Sequence, residues 1–174
     1  MFETPIHWVK GIEPNRLGLM ARPRGGEWLG EEVAAWRLAS LFMVVSLLEP
    51  QEVRELDLKE EPALCAAHGI GFRHFPIPDR GTPSSSREVF ALVAELHALL
   101  GQGKALAIHC RVGIGRTGVI AGCLLHALGV PYGDIFHQLS RSRGIAMPDT
   151  SLQIEWVEKY TRSFPGRYSS TYSG

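Results

Sequence analysis

The sequence predicts an α/β domain with a central, mostly parallel sheet flanked by helices. Two observations predict it. Short apolar runs, "MVVSLLE" (43–49), "GFRHFPI" (71–77) and the stretch 104–109, are bounded by proline, glycine or turn residues, as buried strands are. They alternate with longer segments whose apolar residues recur at helical spacing. The 174 residues suit one compact domain, expected over 1–164, with "PGRYSSTYSG" (165–174) as a loose tail.

The elements follow in order. "PNRLGLMARPRGGEWLG" (14–30) reads as a short strand and a loop, and "EEVAAWRLASLF" (31–42) as a helix carrying Val33 and Trp36 on one face. After the strand 43–49, Pro50 suits the first turn of a helix over 50–58. A second short helix is expected over 62–69, closed by Gly69 before the strand 71–77. "PDRGTPSSS" (78–86) is a loop. Ser85 and Glu88 then form an S-x-x-E capping box for a helix that shows Val89, Leu92, Val93, Leu96, Leu99 and Leu100 on one face and stops near Gly101. Strand 104–109, a glycine-rich loop and a helix with Val119, Ile120, Cys123, Leu124, Ala127 and Leu128 on one face come next. Two further helices are expected at about 131–142 and 150–163.

The totals exclude several classes. Formal net charge is zero, with 18 basic and 18 acidic side chains, which fits neither a general nucleic-acid binder nor an anionic-membrane binder. No apolar stretch reaches the length of a spanning helix, and no signal peptide is visible at the N-terminus. Three scattered cysteines, Cys65, Cys110 and Cys123, do not make a disulfide framework, so a reducing, cytoplasmic setting is expected. No Cys/His set has zinc spacing, and neither metal nor cofactor is expected.

"IHCRVGIGRTG" (108–118) carries the chemistry. Cys110 ends a strand, Arg116 opens a helix, and Gly113, Gly115 and Gly118 lie around them. In a parallel sheet, ligands bind beyond the carboxyl ends of the strands. A loop here can turn the backbone N–H groups of Arg111, Val112, Gly113, Ile114, Gly115 and Arg116 inward around an anion, with glycines permitting the backbone angles. The helix adds the positive end of its dipole, and Arg116 can grip two phosphate oxygens with its planar fork. The same field stabilises a thiolate on Cys110. Thr117 can donate its hydroxyl to that sulfur. An isolated cysteine is usually a small core residue; here the strand–loop–helix context outweighs that reading. His109 can orient the loop through a backbone bond and is not needed as a base.

"HCRVGIGRTG" resembles the His-Cys-x5-Arg-Ser/Thr signature of cysteine-dependent protein phosphatases, and within them the small atypical dual-specificity group. The likeness runs over most of the chain, including "HWVKGIEPNRLGLMARPR", "VVSLLE" and "FPIPDRGTPS". It implies a protein tyrosine phosphatase-like fold and a metal-independent phosphomonoester hydrolase acting on a phosphorylated protein or peptide through a cysteinyl-phosphate. It also places the general acid at Asp79, which composition alone would leave as a Pro-Asp turn residue.

Other residues are open at this stage. Glu49 follows a strand and either pairs with Arg116 or lies on the surface before Pro50. Gln153 forms a T-x-x-Q capping box with Thr150, and matches by position the water-orienting glutamine of larger relatives. Arg111 and Arg143 are candidates for the pocket rim, and Arg80 is expected in solvent. The variable positions Arg111, Val112 and Ile114, one basic and two apolar, favour a phosphoaryl group and hence phosphotyrosine. Cys123 is expected in the core, and Cys65 away from Cys110. Rival readings are a lipid phosphatase, a rhodanese-like sulfurtransferase and a non-catalytic phospho-residue binding module.

Overall fold

The computed structural model of the chain describes residues 3–166. Five strands form one sheet in the order β1-β2-β5-β3-β4. These are β1 (His7–Trp8), β2 (Arg16–Met20), β3 (Leu41–Ser46), β4 (Gly71–His74) and β5 (Ala105–His109). Only β1 is antiparallel, paired to β2; the remaining pairs are parallel. The seven helices are α1 (Leu29–Leu38), α2 (Pro50–Glu55), α3 (Glu61–Ala67), α4 (Ser86–Gly101), α5 (Gly115–Ala127), α6 (Tyr132–Arg143) and α7 (Ser151–Ser163). The expected α/β fold class is the one found. Among the described residues no helix is long and apolar enough to cross a membrane.

Alternation along the central strands makes two cores. Leu106 and Ile108 of β5 point to one face, with Val45, and pack under α4, α5, α6 and α7. Ala105 and Ala107 point to the other, with Val44, and pack under α1 and α3. Buried on both faces, β5 reads as a continuous apolar run, and α5 is buried over nearly its whole length.

The expected boundaries shift at strand ends. The helix expected over 31–42 stops at Leu38, because Ser40 turns left-handed at φ 62° and Leu41 already pairs in β3. The runs 43–49 and 71–77 leave the ladder after Ser46 and His74. They stay extended, with Phe75 N–H on Ser46 O and Ile77 N–H on Leu47 O. Past these bonds the two runs reach Glu49 and Asp79, where Asp79 N–H meets Glu49 Oε2. The helix expected over 50–58 ends at Glu55. Ser85 caps α4 by accepting from Glu88 N–H, and the box is left at that single bond. Of the expected tail, Pro165 and Gly166 close over the end of α5, where His126 Nε2 meets Phe164 O at 2.7 Å; 167–174 lie outside the described residues.

Candidate active site

Cys110 follows β5 directly and is 2% exposed. Its sulfur lies at the floor of the turn that runs into α5. The turn's backbone is oriented by where its carbonyls go. His109 O accepts from Leu47 N–H, Cys110 O from His109 Nδ1, and Arg111 O from Arg22 N–H. Val112 O and Gly113 O accept from Nη2 and Nε of Arg143 at 2.9 and 3.2 Å, and Ile114 O accepts from Gly118 N–H. Each carbonyl from His109 to Ile114 is thus held by a donor outside the loop. Turned-out carbonyls leave the N–H groups directed inward, which is an anion nest. Arg143, a rim candidate in the sequence, instead braces the loop from behind.

The glycines do two different jobs. Gly113 has φ +73°, and a Cβ there would lie 2.2 Å from Met20 O. Gly115 has no such angle; a Cβ there would meet Asp149 and Gln153, so the glycine admits the start of α7.

Arg116 is almost completely buried, so its charge needs partners. Its Nη1 and Nη2 donate to the two carboxylate oxygens of Glu52 at 2.7 and 2.9 Å. Nη1 also reaches Ile77 O at 3.1 Å and Leu47 O at 3.5 Å, and Nη2 donates to Asp79 Oδ1 at 2.9 Å. Burial works against both charges. For Glu52 the hydrogen bonds from Arg116 and the Glu49 backbone overcome it and hold the carboxyl below its ordinary range. For Arg116, Glu52 and the charges of Cys110 and Asp79 hold the guanidinium above its own. Thr117 Oγ1 donates to Cys110 Sγ at 3.1 Å.

Glu49 does not pair with Arg116; Glu52 does. Pro50 starts a helix whose N-cap is Glu49 and whose N3 residue is Glu52, and the two form a reciprocal capping box. That turns Glu52 inward under the loop and leaves Glu49 Oε2 to accept Asp79 N–H at 3.3 Å. The E-x-x-E pattern around Pro50 is the available signal, a capping box with Glu in place of the usual Ser or Thr at the N-cap.

Other positions sort plainly. Arg111 is on the rim but leans toward α2, with Glu52 at 3.7 Å and Glu55 at 3.9 Å. Val112 is half exposed at the mouth. Ile114 packs against the core instead of the rim, which removes one of the two apolar rim positions expected. Gln153 is fully buried, forms the expected box with Thr150, and also donates through Nε2 to Gly81 O of the acid loop at 3.1 Å. Arg80 is exposed, 3.8 Å from Asp149. His109 bonds the loop backbone as expected, and Glu61, which the sequence did not single out, lies 2.7 Å from its Nε2. Cys123 is in the core under α5, and Cys65 is on the opposite face of the sheet; none of the three cysteines is paired. Among the described residues no cluster of His, Cys, Asp and Glu is placed to hold a metal ion. A small pocket opens over the sulfur between Asp79, Arg80, Arg111, Val112, Asp149 and Gln153.

Known proteins resemble the chain in sequence and in fold. The chain is 31% identical to human tyrosine-protein phosphatase non-receptor type 18 over 116 residues, 66% of this chain and 21% of that protein. It is 30% identical to human cyclin-dependent kinase inhibitor 3, across 97% of this chain and 84% of the other. The chain therefore spans a small part of the first relative and most of the second. Its fold superposes on the crystal structure of kinase associated phosphatase, whose catalytic cysteine is replaced by serine, with a TM-score of 0.86 at 21% identity, covering 94% of this chain and 97% of that one. It also superposes on Tk-PTP in its active form, with a TM-score of 0.71. Residues 19–129 match the family "Polymorphic toxin system, DSP-PTPase phosphatase". That match runs from β2 through the cysteine loop and past the end of α5, more than half of the sequence, and the chain belongs to this dual-specificity phosphatase family of the cysteine-dependent phosphatases.

Proposed function

We propose that this phosphatase hydrolyses phosphomonoesters on proteins, phosphotyrosine foremost, through a cysteinyl-phosphate on Cys110. The observation that carries the reading is the loop backbone: six successive carbonyls are tied outward around a sulfur, with a buried guanidinium beside it. Amides from Arg111 to Arg116, Nε of Arg116 and the Nη2 arm that Asp79 now holds would take the three non-bridging oxygens.

The thiolate of Cys110 attacks phosphorus as the ester oxygen leaves, and Asp79 protonates that oxygen. Water then attacks the S–P bond at phosphorus. Asp79, now a carboxylate, takes its proton, and the sulfur leaves as a thiolate stabilised by the Thr117 hydroxyl. In the structure Asp79 accepts from Arg116, and phosphate must replace it there. Asp79 is half exposed, with room to swing to the leaving oxygen. Gln153, holding Gly81 O of the same loop, keeps the acid loop docked to α7.

Phosphotyrosine is favoured because Val112 offers an apolar contact for an aryl ring at the mouth and Arg111 a cation beside it. Residues 1–164 act as one catalytic domain in this reading. The three unpaired thiols suit a reducing, cytoplasmic compartment.

The test is a panel of phosphotyrosine, phosphoserine and phosphothreonine peptides with inositol phosphates, run beside Cys110→Ser. Cys110→Ser is expected to lose turnover and keep phosphate binding. Hydrolysis of p-nitrophenyl phosphate by Cys110→Ser at the parent rate would remove Cys110 from the mechanism.

A further inference from the structure

Cys110 and His109 are neighbours in sequence and lie on opposite faces of the sheet. Strand alternation sends His109 toward α3, where it is fully buried. There the imidazole lies between two acceptors. Nε2 is 2.7 Å from Glu61 Oε1, and Nδ1 is 3.2 Å from the Cys110 carbonyl oxygen. Glu61 opens α3 and is 2% exposed.

A neutral imidazole has one N–H, so it cannot donate to both. Two arrangements satisfy the geometry: an imidazolium against a carboxylate, or a carboxylic acid donating to Nε2. Both hold one proton more than a carboxylate beside a neutral ring. Both fix Nδ1–H on the Cys110 carbonyl. Ser46, level with His109 on β3, has a buried hydroxyl without a hydrogen bond. Cys65, one turn beyond Glu61, is pushed up to about 12 by burial and by the Glu61 charge, so it stays a thiol. His74 is occupied by Leu48 O.

We propose that Glu61 is a positioning residue for the nucleophile, acting through His109. It fixes the ring so that Nδ1–H holds the Cys110 carbonyl out of the anion nest. This rests on the phosphatase reading of the site, but its test reads the thiol directly. The rate of Cys110 alkylation by iodoacetamide is followed against pH, which needs no phosphate ester.

Glu61→Gln keeps a donor for Nε2 and so keeps Nδ1–H on the carbonyl, whereas Glu61→Leu removes it. The alkylation midpoint is expected to rise by about one unit in Glu61→Leu and to stay near the parent's in Glu61→Gln. The value of kcat/KM at neutral pH is expected to fall about tenfold in Glu61→Leu and to be largely restored in Glu61→Gln. Combined with His109→Asn, Glu61→Leu should add no further shift, as coupling through one ring requires. The inference is overturned if folded Glu61→Leu keeps the parent's midpoint, or if its shift persists undiminished in His109→Asn. A reading without variants is the 15N resonance of His109 in the parent, which should show Nδ1 protonated at neutral pH. An unprotonated Nδ1 overturns it as well. A parent enzyme that alkylates as expected but hydrolyses no phosphate ester would sink the functional reading and leave this one standing.

Discussion

Glu52→Gln tests how Arg116, the proposed grip on phosphate, is held. Glu52 gives Arg116 two charge-assisted hydrogen bonds, and both side chains are nearly inaccessible. The substitution keeps the shape and one acceptor. The other oxygen becomes an NH2 group facing N–H donors, either Arg116 or the Glu49 backbone. One charge-assisted bond is worth about 1.5–3 kcal/mol, and breaking a buried pair costs about 3–5 kcal/mol. A loss near 3 kcal/mol follows, the low end applying because Gln is isosteric. In a domain of this size that lowers Tm by roughly 6–12 °C. Arg116 keeps Leu47 O and Ile77 O, so it stays near the loop but is less firmly aimed. Misplacement on the ångström scale costs about 100-fold in kcat/KM. The assay is thermal unfolding beside p-nitrophenyl phosphate hydrolysis, with Glu49→Gln as comparison. Glu49 only caps α2 and accepts Asp79 N–H, so its loss should cost about 1 kcal/mol or less. If Glu52→Gln melts within about 2 °C of the parent and keeps kcat/KM within about threefold, backbone carbonyls alone position Arg116 and the ion-pair account is wrong.

The remaining predictions concern the acid, the pH range and the loop. Asp79→Asn should slow aryl phosphate hydrolysis by about 100-fold or more and remove the alkaline limb of a bell-shaped pH–rate profile; an intact bell places the acid elsewhere. Glu52 is held below its ordinary range in the fold, so its contribution is fully present above the unfolded value and is lost as pH falls through the folded one. Tm should therefore hold near neutrality and drop below about pH 4.5, less steeply in Glu52→Gln, with Glu32 acting in the same direction; equal acid slopes in parent and variant would contradict this. Gly113→Ala meets both a left-handed φ and Met20 O, so a loss of at least about 2 kcal/mol is expected; a native melting curve would refute the geometry.

The sheet, the order of its helices and the cysteine loop were legible because each rests on local pattern. An apolar strand, a run of glycines and a helix start are written within about a dozen residues. Strand ends were less legible: Leu47, Leu48 and Ile77 are as buried as Val44 and Val45 of β3, yet the regular β3–β4 pairing ends at Ser46 and His74 although Ile77 N–H still bonds Leu47 O. Long-range partners were the least legible. Glu52, Glu61 and Arg143 serve the loop from separations of 64, 48 and 30 residues. Each lies on a helix whose own pattern says only which face is buried. Ile114 shows the converse limit, since a loop position can be apolar because it is buried.

Asp79 on Arg116 has a consequence for turnover. A tethered carboxylate beside the guanidinium is present at a high effective concentration, so every anion entering the nest competes with a resident one. Singly charged ions common in the cell gain little by the exchange. A phosphate dianion gains the loop amides as well and can win. In the proposed mechanism the same carboxylate re-enters as inorganic phosphate departs, so the residue proposed to deliver the proton would also shorten the product's stay.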